Sequence, residues 1–337
     1  MKKRPVLYII FIYILLAVFL VGCAKAEADQ SKSQSVVNEP VPEASVLIET
    51  QEAQKPQETE RTDSDAPDLE DDGYQTRIIA GETIKWDGVR AIEPKDDWDI
   101  RSMTLSDVGP FFEKTFEVEK SSYKLMEGQI TETEVLHIHS ANPGPRVYIV
   151  GAVHGDERAA WYAALLLKQA SISCGDLYIL VPANANGARN LTRYVVKNQD
   201  LNRSFPGEPS GDEAEQLAYA IFRDIAGKRP NLVLDLHEAI VLTQDRDFLG
   251  STYIFTELDG MEDLFFELLV ATEEGRICHN EFGFTGPGPA GSVNAEVTRN
   301  LRIPVITVET FRGFDIGRRV YDQLDTIQFV LEYMGMR

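Results

Sequence analysis

Positive charge is scarce in this chain: 33 Lys and Arg stand against 54 Asp and Glu, for a formal net charge of −21. Basic residues cluster only in the first four positions and in a short stretch at Arg318-Arg319. Nucleic acid is therefore excluded as a partner, because phosphate binding needs grouped Lys and Arg. Cysteine is nearly absent, with Cys23, Cys174 and Cys278 the only three. The two beyond position 23 make neither a disulfide framework nor a cysteine-rich metal site, and remain open to a single bridge or to two buried thiols. Aromatic residues are missing altogether from Ala24 to Asp72, where 14 acidic residues face 4 basic ones. Such a stretch buries too little apolar surface to offset chain entropy, so residues 24–72 are predicted to be a disordered acidic linker, extended by its own charge.

What is present begins at the N-terminus. Lys2, Lys3 and Arg4 precede the apolar run VLYIIFIYILLAVFLVG, which stops at Cys23. This is the layout of a secretory signal. Leu20-Val21-Gly22-Cys23 resembles the lipobox of bacterial lipoproteins, which implies cleavage before Cys23 and a lipid on its sulfur. The alternative is an uncleaved transmembrane anchor, since the run nearly reaches spanning length. Both place the remainder outside the cytoplasm, anchored to the outer face of the bacterial cell membrane. The organisation expected is a signal peptide over 1–23, the linker over 24–72, a lead-in segment and hairpin over 73–130, and a catalytic domain over 131–337.

Within the folded part, Trp86 and Trp98 mark a small ordered lead-in, and two alternating segments around Met126-Glu127-Gly128 predict a hairpin. RVYIVGAV at 146–153, LYILVPAN at 177–184, NLVLDLH at 231–237 and IPVITVE at 303–309 read as buried strands. Helices are predicted from Asp156 through about Ala170, over 212–226, over about 261–274 and from about Arg318 to Tyr333. Strands alternating with helices give an α/β domain with a mostly parallel sheet. Ligands of such sheets bind outside the carboxyl ends of the strands, where this chain places His154, Asn184, His237 and Glu309.

Zinc in a hydrolase takes three ligands from His, Asp and Glu and keeps a position open for water. His154 and Glu157, three apart across a strand-to-helix junction, can converge on one ion with His237 from another strand end. The His-x-x-Glu pair alone equally suits the first turn of a helix, and His237 alone equally suits a core histidine; it is their placement at successive strand ends that favours one crevice. His137 and His139, pointing the same way in a hairpin strand, and His279, in a glycine-rich region, are expected to be structural.

GAVHGDE at 151–157, TRYVVKNQDLNRSFPG at 192–207, DLHEA at 235–239 and VET at 308–310 resemble, in the same order, the motifs of the succinylglutamate desuccinylase and aspartoacylase family, a branch of the zinc-carboxypeptidase superfamily. The resemblance implies one Zn2+ per chain held by His154, Glu157 and His237, and Glu309 as general base. It implies that Arg193 polarises the substrate carbonyl, with Arg189 as its substitute, that Asn202 and Arg203 grip a free carboxylate, and that Asp200 orients the first histidine. The chemistry agrees, since a zinc-histidine is usually backed by a carboxylate and an arginine fork suits a planar carboxylate.

Two departures bear on substrate. The stretch from Tyr194 to Gln199 is slightly longer than in aspartoacylase, and the 28 residues after Glu309 hold one helix, with no counterpart expected for the β-rich C-terminal domain of that family. The resulting function is a zinc-dependent hydrolase that cleaves an amide next to a free carboxylate, in an N-acyl amino acid. The alternatives are a cell-surface metallocarboxypeptidase acting on peptide C-termini and a non-catalytic ligand-binding lipoprotein. The Gly- and Pro-rich segment 283–294 is a candidate substrate wall or an ordinary connector.

Overall fold

The structure, a computed structural model, describes residues 73–240, 250–256, 260–279 and 282–337. The expected signal, lipobox cysteine and acidic linker lie outside these residues.

The centre of the molecule is an eight-stranded sheet. In chain order its strands are β3 (Glu119–Leu125), β4 (Thr133–His139), β5 (Arg146–Gly151), β6 (Asp176–Leu180), β7 (Leu232–Ala239), β8 (Thr252–Phe255), β9 (Gly283–Thr285) and β10 (Val305–Phe311). They lie side by side in the order β3-β4-β6-β5-β7-β10-β8-β9. The inner four, β6, β5, β7 and β10, are parallel, while β4 runs against β6 and β8 runs against β10. Since β3 pairs with β4, the sheet continues across the hairpin without a break at residue 130. A separate two-stranded ribbon, β1 (Gln75–Ile79) with β2 (Glu82–Trp86), precedes it.

The helices are α1 (Leu105–Val108), α2 (Arg158–Leu166), α3 (Ala185–Asn190), α4 (Glu213–Lys228), α5 (Glu262–Glu273), α6 (Val293–Leu301) and α7 (Ile316–Tyr333). None among the described residues is long and apolar enough to cross a membrane. One sheet face packs against α2, α5 and α7, the other against α4 and α6. The inner strands are apolar on both sides because both faces are covered: Leu232, Leu234 and Leu236 of β7 enter the first core, while Val233 enters the second. Each such side chain, fully buried, contributes roughly 1.5–3 kcal/mol.

Sequence punctuation sets the element ends. Asp212 and Glu215 form a capping box at the start of α4. The strand expected over 177–184 stops at Leu180, because Pro182 brings no amide hydrogen to a ladder. The strand expected over 146–153 stops at Gly151, and the chain turns through Ala152 at a φ of 64°. That turn frees His154 from the sheet. The predicted helix from Asp156 begins at Arg158 and tightens into a 3-10 turn over Leu167–Gln169. Cys174 and Cys278 are both free thiols, which settles the alternative left by their number. After β10 a single helix, α7, follows.

Candidate metal centre

His154, Glu157 and His237 come together at the carboxyl ends of β5 and β7, all three buried. His154 sits in the loop after β5. Gly155 beside it is obligatory, since a Cβ there would lie 2.0 Å from the backbone carbon of Gly187 in α3. Glu157 is the N-cap residue of α2, yet its carboxylate does not cap the helix. Instead Oε1 lies 2.7 Å from His154 Nδ1 and Oε2 lies 2.8 Å from His237 Nδ1. The two rings meet edge to face with centroids 4.8 Å apart.

The strand alternation of D-L-H-E explains the rest of the arrangement. Asp235 and His237 leave one face of β7, and Leu236 and Glu238 the other. Asp235 Oδ1 lies 3.1 Å from His237 Nε2, the nitrogen turned away from Glu157. Asp235 is held in turn by the hydroxyl of Thr307, its register partner on β10. On His154 the corresponding nitrogen, Nε2, lies 3.2 Å from Asp200 Oδ1. Each imidazole therefore presents Nδ1 inward and backs Nε2 with a carboxylate.

Glu238, on the opposite face, does the capping that Glu157 forgoes. Its Oε2 accepts from the amide of Ala159 in the first turn of α2 at 3.0 Å, and its Oε1 is paired with Arg319 of α7. Arg319 is fully buried and also reaches Glu93 of the lead-in segment, which pairs with Arg158 as well. Gln323 donates to the carbonyl of His237. A buried polar network thus ties α2, α7 and the lead-in to the underside of the centre. Unpaired, a buried charge is costly, so each member depends on its partner.

The charges of the centre are mutually determined. Burial would hold His154 and His237 below the ordinary histidine range, but the carboxylates facing them outweigh it and raise both, His237 strongly through Asp235 and Glu157. Burial would raise Glu157, but the two histidines hold it well below the usual carboxylate range. Glu309 lies on β10 in register with His237. Burial pushes its carboxyl up to about 7, with His237 opposing and Glu157 reinforcing the shift. Such a group is poised to exchange a proton near neutrality.

Arg193 stands at the mouth, 36% exposed, with Nε 3.0 Å and Nη2 2.9 Å from Asp200 Oδ2. Its Nη1 is 3.3 Å from His154 Nδ1. Its carbonyl accepts from Asn184, the N-cap of α3. Arg189 instead turns away and donates to the carbonyl of Ile130. Asp200 is held well below the ordinary range by His154 and Arg193 against the effect of burial. Asn202 is buried and its Oδ1 accepts from the amide of Val293 at the start of α6. Arg203 is exposed and donates to the carbonyl of Asn202 at 2.7 Å. The segment 283–294 packs on this pair: Gly291, at a φ of 77°, approaches so near that a Cβ would lie 2.4 Å from the carbonyl oxygen of Arg203.

Two imidazole nitrogens and a carboxylate, all within 4.8 Å of one another, match the donor set that zinc takes in hydrolases. Their fit is improved by Asp200 and Asp235 behind the rings, since such carboxylates set the tautomer of a ligating histidine. Of the residues singled out from the sequence, His154, Glu157, His237, Asp200 and Arg193 share direct contacts, and Glu309 joins them through the β7–β10 register. Asp235, Glu238, Arg319 and Gln323 were not anticipated. The D-L-H-E alternation carried the signal for the first two.

Comparison with known proteins adds to this geometry. Residues 143–281, under half the chain, match the model of the succinylglutamate desuccinylase/aspartoacylase catalytic domain. No curated protein sequence matches the chain. Among solved structures, a succinylglutamate desuccinylase from Silicibacter is similar at 18% identity and a TM-score of 0.51, covering 66% of this chain and 68% of that one. The product-bound ectoine utilization protein EutE (DoeB) from Ruegeria pomeroyi is similar at 21% and 0.51, covering 65% and 67%. Csd4 from Helicobacter pylori, a D,L-carboxypeptidase, is similar at 15% and 0.50, covering 58% of this chain and 52% of that one. The fold is therefore carboxypeptidase-like, a mixed and mostly parallel sheet flanked by helices, and residues 143–281 carry the pattern of the succinylglutamate desuccinylase/aspartoacylase catalytic domain.

Proposed function

We propose that this protein is a zinc-dependent hydrolase that cleaves an amide bond next to a free carboxylate in an N-acyl amino acid. The observation that carries the reading is the convergence of His154, Glu157 and His237, with Glu309 on the neighbouring strand and Arg193 at the mouth. His154, Glu157 and His237 would hold the zinc, which would supply Lewis acidity at the reacting centre. Glu309 takes a proton from the attacking water and passes it to the leaving nitrogen, so that amide and water become carboxylate and amine. Arg193, oriented by Asp200, donates to the oxygen on which negative charge develops. Asn202 and Arg203 bind the substrate's carboxylate, for which the guanidinium fork is suited. A lipid on Cys23 holds the enzyme at the outer face of the membrane, and replacing Cys23 by Ser abolishes incorporation of labelled fatty acid.

The carboxypeptidase reading is favoured by the fold shared with Csd4, a D,L-carboxypeptidase. Screening N-acyl amino acids beside C-terminally free and amidated peptides separates the two. Hydrolysis of acyl amino acids supports the first, and cleavage of free but not amidated peptides supports the second. Cleavage that survives amidation removes the roles of Asn202 and Arg203. Tight capture of these compounds by the zinc-loaded protein, with no turnover, replaces both readings by a binding function.

A further inference from the structure

A second group of metal-type side chains lies at the opposite end of the sheet, where β6 begins. His137 and His139 alternate along β4, so both rings leave the same face. Asp176, the first residue of β6, is the register partner of His139. His137 Nε2 lies 2.7 Å and His139 Nδ1 2.8 Å from one and the same oxygen, Asp176 Oδ1. The ligand atoms of all three residues lie within 4.8 Å of one another. On the other side of β4, Glu119 of β3 is the register partner of His139. Cross-strand partners share a face with Cβ atoms roughly 4.5–5.5 Å apart, which brings a further carboxylate within reach.

The donors are preorganised. All four residues sit on the paired strands β3, β4 and β6, so no loop must be ordered to gather them. The His137 ring is held by stacking on Tyr178, with centroids 4.4 Å apart and planes within 9°. The side chains of His137, His139 and Asp176 are 25%, 45% and 22% exposed, which leaves room for water in the shell. Two imidazoles with carboxylate suit zinc, copper or nickel, whereas calcium and magnesium prefer oxygen alone. The set repeats the composition of the buried centre, two histidines and one carboxylate, with the same N···O separations.

We propose that His137, His139 and Asp176 form a second site for a transition-metal dication such as Zn2+, with Glu119 as an additional oxygen donor. It is separate from the catalytic centre and independent of the function proposed for it. Being half-exposed, it binds more weakly and exchanges faster than the buried centre.

The test is calorimetric titration of the full chain, freed of metal by a chelator, with Zn2+, repeated with Co2+ and read by visible absorption. The wild type takes up two equivalents. His154→Ala/His237→Ala keeps one, and His137→Ala/His139→Ala keeps the other, the retained equivalent reporting that each variant is folded. Asp176→Asn weakens the second equivalent by at least about tenfold, since even residues behind a metal's ligands are worth 10–100-fold. A single equivalent in the wild type overturns the proposal. So does a second equivalent that survives His137→Ala/His139→Ala, or no uptake at all by folded His154→Ala/His237→Ala.

Discussion

The two histidine–carboxylate groups of this sheet share a composition and differ in surroundings. At the carboxyl ends of the parallel strands, His154 and His237 are buried, and each Nε2 is backed by a carboxylate. At the other end, His137 and His139 share one aspartate at a half-exposed edge. Burial puts the first group in a low-dielectric setting, where a neighbouring glutamate is pushed into the neutral range. Exposure denies the second group that leverage. The same residue types thus meet two different electrostatic settings at the two ends.

The comparison breaks most sharply at Glu309. Glu309→Gln is expected to lower kcat by about 10²–10⁴-fold or more while leaving zinc uptake at the buried centre intact, since general acid–base catalysis contributes on that scale. Steady-state rates beside metal analysis check this, and unchanged kcat removes Glu309 from the mechanism. Next in size is Arg319→Leu, which strands Glu238 and frees the first turn of α2. Breaking a buried pair costs roughly 3–5 kcal/mol, read from the urea midpoint. A loss within about 0.5 kcal/mol would mean that the network beneath the centre holds nothing in place.

Smaller effects sharpen the contrast. Asp200→Asn and Asp235→Asn each remove a carboxylate behind a histidine ring, and competition with a chromogenic chelator should show zinc affinity at the buried centre falling about 10–100-fold. Neither substitution is expected to change uptake at His137 and His139. The smallest effect is a pH slope. Glu309 has its folded pKa raised to about 7 from 4.5, so the folded metal-free protein holds more protons than the unfolded chain between those values. Its contribution to stability is therefore fullest below pH 4.5 and is lost as pH rises through 7. Metal-free Glu309→Gln should lose less stability than wild type across that window, as followed by urea denaturation. Parallel curves for the two proteins would contradict the shift.

Much of this was legible in the sequence, and the reasons are local. The inner strands announce themselves by apolar runs because both their faces are covered, and α4 by its capping box. The position of His154 follows from where β5 ends, whereas β7 and β10 run two residues past the expected ends at His237 and Glu309, to Ala239 and Phe311. What the sequence did not yield are elements too short to carry a period, β8 with four residues and β9 with three, together with the β1–β2 ribbon. The segment 283–294, expected to be a loop, holds β9 and the start of α6, whose N-cap Ser292 lies between glycine and valine without a longer signal. Arg319 and Gln323 could not be anticipated, since what makes them matter is contact with Glu238 and His237 more than 80 residues away.

In the proposed centre a single cation is held through the inward Nδ1 atoms of His154 and His237 and the carboxylate of Glu157. Anomalous diffraction at the zinc absorption edge from zinc-loaded crystals tests it most directly. A peak is expected at bonding distance, about 2.0–2.2 Å, from all three donors, with both Nε2 atoms still facing Asp200 and Asp235. A peak that leaves out His237, or one bonded through Nε2, would contradict it.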